Sequence, residues 1–191
     1  MKKPVSRFLA VLLVSAFSAA AGDAPRGLVV TPGPGADAAD AEAAAAYILA
    51  NTDLLATVGG VPLAGGEKQV TLFRDPEAPI GAIDVAAGTA TLNLAVLERD
   101  GADPAQTRRR AGQALLRHLA VLLNEPPCPF PLCVLTTGCI GTDCLDEISA
   151  NYCPPCCDRI SRTAAKLGMA MQPTPGEDAE DAEKTESAQD L

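Results

Sequence analysis

The stretch Arg117–Cys157, RHLAVLLNEPPCPFPLCVLTTGCIGTDCLDEISANYCPPCC, decides how the chain is read, because it holds the only His and all seven Cys of its 191 residues. Four of those Cys form two close pairs, Cys128-x4-Cys133 and Cys153-x2-Cys156, with 19 residues between the pairs. Two such pairs, brought together by the loop between them, supply four thiolates at the spacing that a structural zinc site needs. Cys128, Cys133, Cys153 and Cys156 are therefore the candidate metal ligands, and one structural Zn2+ is the expected cofactor. Pro129-Phe130-Pro131-Leu132 makes the first loop stiff and extended. Asp143–Ser149 is expected as a short helix. Tyr152-Cys153-Pro154-Pro155-Cys156 reads as a metal-binding knuckle entering a last helix that runs through Ile160 and Ala164 to about Ala170.

Upstream, Asp103-Pro104 is a helix entry, with Asp as N-cap and Pro at the first helical position. The helix is predicted to run to about Leu123, where Pro126 and Pro127 end it. Leu115, Leu119 and Leu122 repeat at helical spacing beside a second row of Leu116, Ala120 and Leu123. Apolar positions this broad predict a helix buried on most of its circumference. On it, His118 reads as an exposed or hydrogen-bonded helix residue rather than a ligand, and Glu125, seven residues on, is a candidate neighbour. Arg108-Arg109-Arg110 reads as a solvated face near the helix start.

The whole stretch resembles the archaemetzincin-type metallopeptidases, whose pattern is HExxHxxGxxHCx4CxM followed by a spacer and CxxC. Cys128, Cys133 and the Cys153/Cys156 pair fall at that family's spacing, with 17 residues between Leu135 and Cys153. Counting back from Cys128, the three zinc-binding His positions hold Arg117, Val121 and Pro127. The general-base Glu position holds His118, the Gly position Asn124, and the Met position Leu135. A guanidinium is a permanent cation that repels a metal ion, and Val has no donor atom. Starting the pattern at His118 instead puts Leu119 and Leu122 where the Glu and the second His belong. One His without HExxH does not build a water-activating zinc site. The resemblance, which spans roughly Thr71 to Leu167 and is specific in its Cys half, thus implies a degenerate member with no catalytic residues. It also implies an α/β fold, a small zincin-like mixed sheet with a long central helix and a Cys-rich C-terminal subdomain. Two alternatives stand beside this pseudopeptidase reading. One is an active zinc metallopeptidase with atypical ligands, and the other a disulfide-stapled extracellular interaction module.

The N-terminal half supplies the expected sheet. Leu28–Thr31 reads as a buried strand ended by Pro32-Gly33-Pro34-Gly35. Asp37–Asn51, rich in Ala with early acids, reads as a helix whose acids suit its dipole. Val70–Phe73, Gly81–Val85 and Thr91–Leu97 read as further strands, with Ala87-Gly88 joining the last two in a hairpin. Strand, helix, several strands and a long helix predict a mixed α/β layer arrangement.

Residues 1–21 combine Lys2, Lys3 and Arg7 with the apolar run Phe8–Phe17 and a small-residue end before Gly22, the pattern of a secretory signal peptide. The apolar run is too short to span a bilayer comfortably, and no membrane span is expected elsewhere. The domain is placed at 22–171, its Cys-rich metal-binding portion at 122–171, and an acidic disordered tail at 172–191, where Glu177–Asp190 carries seven acids against Lys184. A secreted or periplasmic location follows. The net charge of −9 becomes about −12 once the three leader cations are lost, which argues against nucleic acid and anionic membranes as partners. Aromatics make up 3% of the chain, with no Trp, so stacking platforms are scarce as well. A monomer with an unidentified protein or peptide partner is expected. Secretion also favours disulfides. The cluster is open to four readings: tetrathiolate zinc, all disulfides, a redox CxxC, or a mixed scheme. In the mixed scheme four Cys bind zinc, Cys139 bonds Cys144, and Cys157 is left over.

Overall fold

Five strands build one sheet in a computed structural model of the chain, which describes residues 27–59, 67–98, 101–139 and 144–172. The strands are β1 (Leu28–Pro32), β2 (Ala56–Val58), β3 (Lys68–Phe73), β4 (Gly81–Asp84) and β5 (Thr89–Asn93). Their order is β2-β1-β3-β5-β4, all parallel except β4, which runs antiparallel to β5 at one edge. The expected signal peptide lies outside the described residues. So does the expected tail, apart from Gln172, whose N–H donates to Asp53 O at 2.7 Å.

Register turns alternation into a core. Val30 stands beside Val70 and Val70 beside Ala90, while Leu72 stands beside Leu92. These residues are all buried and share one face. Thr31, Gln69 and Thr71 point the other way and stay half-exposed. Each fully buried Leu removes enough apolar surface to contribute roughly 2 kcal/mol.

The buried face is covered by helices α1 (Ala38–Thr52) and α3 (Pro104–Leu122), which also touch each other. Asp37 caps α1 reciprocally: its carboxylate accepts from Asp40 N–H and the Asp40 carboxylate accepts from Asp37 N–H, each at 2.9 Å. Asp103 caps α3 by accepting from Ala105 and Gln106 N–H, with Pro104 in the first turn as expected. Ala114, Leu115, Leu116, Leu119, Ala120 and Leu122 are all buried, which agrees with the broad apolar pattern.

Three expectations change, and one strand was not expected. The Thr91–Leu97 strand stops at Asn93, and Leu94–Leu97 forms the short helix α2. Asn93 is fully buried; its Oδ1 accepts from Ala95 N–H and its amide donates to Asp75 O and Ala78 O. Capping by this side chain outweighs the strand preference of the residues after it. The short helix expected at Asp143–Ser149 is a series of turns over its described part, because Gln113 and Arg109 take the carbonyls that a helix would use. The last helix, α4 (Pro154–Lys166), ends before Ala170 at a left-handed Gly168 (φ 69°), with Met169 N–H on Ala164 O. β2, three residues at the sheet edge, carries no sequence alternation that signals it.

Candidate metal centre

The polar residues of α3 fasten the Cys-rich segment to the helix. Gln106 and Arg110 hold Asp146, Arg109 donates to Ile148 O, and buried Gln113 donates to Leu145 O at 2.7 Å and Ser149 O at 3.1 Å. In return the buried Tyr152 hydroxyl donates to Leu116 O at 2.6 Å. Arg109 and Arg110 are thus engaged with the segment rather than forming a purely solvated face. Loop carbonyls without helical or sheet partners need donors from elsewhere, and this stripe of long side chains supplies them.

Asn124 closes α3 in the left-handed conformation (φ 56°), with its N–H on Val121 O and Glu125 N–H on Ala120 O. Asn is the non-glycine residue best suited to that conformation. It stands where the family pattern has Gly. Beyond it, Cys128 N–H donates to Leu135 O at 2.9 Å and Val134 N–H to Asn151 O at 3.3 Å, which lays the 128–135 loop beside the entry to α4. Cys153 is the N-cap residue of α4, Pro154 and Pro155 follow, and Cys156 N–H turns back onto Cys153 O at 2.9 Å.

The consequence is convergence. The sulfurs of Cys128, Cys133, Cys153 and Cys156 all lie within 4.8 Å of one another. Cys128 and Cys153 Sγ are 3.8 Å apart, far longer than a disulfide. Four sulfurs bound to one zinc at ~2.3 Å stand roughly 3.8 Å from each other, so the donor set fits a tetrahedral ion. Backbone N–H groups point at the sulfurs as well: Phe130 at Cys128, and Leu135 and Cys153 at Cys133. Burial raises the Cys133 and Cys156 thiols above the ordinary range. Cys153 is brought down although burial opposes this, because the Cys156 N–H and the thiols of Cys156, Cys133 and Cys128 hydrogen-bond to it. A divalent ion held by the four sulfurs would override these differences, since a coordinating thiol loses its proton outright. Arg159 flanks the group, donating to Pro126 O at 2.9 Å and lying 3.6 Å from Cys156 Sγ.

The remaining cysteines divide as in the mixed scheme. Cys139 and Cys144 form a disulfide, and Cys157 is a half-buried free thiol near Asn51 O.

The middle of α3 brings nothing comparable together. Arg117 donates to Val134 O at 2.9 Å and Cys139 O at 2.7 Å, so its guanidinium fastens the loop. His118 is buried, with Nδ1 2.7 Å from Ala114 O. Burial lowers its basicity and keeps the ring neutral despite the carbonyls of Ala114 and Thr91 around it. Glu125, the candidate neighbour of His118, turns elsewhere: its side chain is buried and paired with Arg159 at 2.5 Å and with the Thr163 hydroxyl. Val121 is 43% exposed and Pro127 faces solvent, whereas Leu135 is buried. Among the described residues, the four cysteines are the one group of three or more His, Cys, Asp or Glu whose donor atoms converge. Sequence reasoning missed Gln113, whose only signal is a polar residue within an apolar run.

A mixed five-stranded sheet with one antiparallel edge strand, a long helix across it and a four-Cys segment behind that helix define an α/β protein of archaemetzincin fold. Three solved structures carry the comparison. The archaemetzincin of Methanopyrus kandleri matches with a TM-score of 0.56 at 12% identity, over 76% of this chain and 99% of its own. The archaemetzincin of Archaeoglobus fulgidus, complexed with malonate, matches with a TM-score of 0.54 at 12% identity, over 70% of this chain and 99% of its own. A zinc-dependent peptidase of Methanocorpusculum labreanum matches with a TM-score of 0.53 at 14% identity, over 70% of this chain and 100% of its own. No protein-family model matches the chain, and no curated protein matches it significantly. Among the described residues, no helix is long and apolar enough to cross a membrane.

Proposed function

We propose that the chain is a secreted or periplasmic, catalytically inactive protein of archaemetzincin fold, in which Cys128, Cys133, Cys153 and Cys156 hold one structural zinc ion. The observation that carries the proposal is the convergence of those four sulfurs within 4.8 Å of one another. The zinc-dependent peptidase among the structural neighbours adds support for the choice of metal. Zinc there supplies a clip. Four protein ligands complete a tetrahedron and leave no position for a water to be activated. The clip ties the loop after α3 to the start of α4, and its binding energy becomes folding energy because the unfolded chain has no such site. Arg117, Val121 and Pro127 at the positions where the family has His support inactivity. The leader-like residues 1–21 support export. Once exported, the chain serves as a monomeric binding domain for a protein or peptide partner.

Elemental analysis with thiol titration on the mature secreted protein tests this reading. One zinc per chain is expected, with five thiols titratable after chelation and denaturation, matching the five free cysteines. N-terminal sequencing is expected to begin at Gly22, and casein is expected to remain intact. Two zinc ions with chelator-sensitive casein cleavage would overturn the inactive reading. A metal-free protein with one titratable thiol would overturn the zinc clip.

A further inference from the structure

A second concave site lies between α1 and α3, away from the four cysteines and from Arg117, His118 and Val121. It is a cleft of about 640 Å³ at the carboxyl ends of β3 and β5. Leu72, Leu92 and Leu115 form its floor, and Ala43, Ala44 and Ala111 line its helical walls. The hollow exists because both walls carry side chains too small to fill it. Tyr47 packs so closely on Gly112 that a Cβ there would stand 2.3 Å from the ring. Tyr47 is held in place by its hydroxyl bond to Ala150 O at 2.7 Å. The cleft opens where β3 and β5, paired in parallel, both end, with Arg74 just beyond β3 and Leu94 just beyond β5 in its lining. Its volume is within the range of small-molecule sites.

Charge at the mouth selects the ligand's polar end. The acids of the lining are already engaged. Asp40 grips Arg74 with both oxygens at 2.5 and 2.8 Å, Glu98 accepts from Arg74 Nε at 2.8 Å, and Asp37 caps α1. Arg108 lines the same cleft, is exposed, and has no ion-pair or hydrogen-bond partner among the described residues. We propose that this cleft binds a medium-chain aliphatic carboxylate, with the chain on the leucine floor and the carboxylate on the Arg108 guanidinium. A planar guanidinium fork matches a carboxylate better than any neutral head group.

Calorimetric titration of the mature, zinc-loaded protein with octanoate, octanol and octylamine tests the assignment. Octanoate is expected to bind most tightly, and Arg108→Gln to weaken it about tenfold while leaving octanol unchanged. Ala43→Phe, on the exposed wall, is expected to abolish octanoate binding without altering the thermal melt. As an independent readout, octanoate is expected to perturb the tyrosine emission of the Trp-free chain, and Tyr47→Phe to remove that response. No heat with octanoate, equal or tighter binding of octylamine, or octanoate binding that survives Ala43→Phe would each overturn the proposal.

Discussion

The middle of α3 and the cysteine cluster belong to one continuous stretch, yet their side chains meet opposite fates. On the helix, three neighbouring positions find three separate surroundings. Arg117 reaches the carbonyls of Val134 and Cys139, His118 turns into the protein beside Ala114 O, and Val121 faces solvent. In the cluster, residues from the loop after α3 and from the start of α4 aim four sulfurs at one point. A metal centre is therefore a matter of convergence, and closeness along the chain does not secure it. Arg117 and His118 are each tied to backbone carbonyls, whereas the four sulfurs stand close enough together to hold an ion.

The strongest way to break this contrast is to remove the ion's ligands. Cys156→Ser, or chelation of the parent, is expected to cost at least ~4 kcal/mol, a drop of about 10 °C in Tm. A variant that melts with the parent and keeps its zinc would end the clip reading. Next comes Arg117→Ala, which strands two loop carbonyls and is expected to cost about 2 kcal/mol in urea unfolding while leaving zinc content at one per chain. If stability is unchanged, Arg117 does not fasten the loop. Asn124 sharpens the same comparison at the helix end. Asn124→Ala is expected to lower stability by roughly 1 kcal/mol because the left-handed turn penalises Cβ, whereas Asn124→Gly is expected to be neutral or slightly stabilising.

The smallest effect concerns protons. His118 has its basicity lowered by burial, so between its ordinary value near 6.5 and its depressed folded value the unfolded chain binds more protons. Stability is therefore expected to fall as the pH drops from 7.5 to 5.5, and His118→Asn to flatten part of that slope. A parent and variant with parallel pH profiles would show that the ring is not buried as a neutral group.

Much of this was legible in advance, for local reasons. The Asp103-Pro104 entry and the Leu rows of α3, the β1 and β3 strands, and the β4–β5 hairpin rest on capping and periodicity, which the residues carry themselves. The Thr91–Leu97 reading failed because Asn93 caps from within, and its partners Asp75 and Ala78 are distant in the chain. The turns after Cys144 were hidden for the same reason: Gln113, more than thirty residues away, takes their carbonyls.

The sequence by itself determined the cysteine spacing, the single His of the chain, and the class of fold. Only the tertiary structure decided that the four sulfurs meet, that Cys139 pairs with Cys144, that Arg117 fastens a loop, and that a cleft opens between α1 and α3. Spacing limits which atoms are able to meet, because a short chain bounds their separation. Whether they do meet depends on packing between segments far apart in the chain, and that is settled only when the helices dock on the sheet.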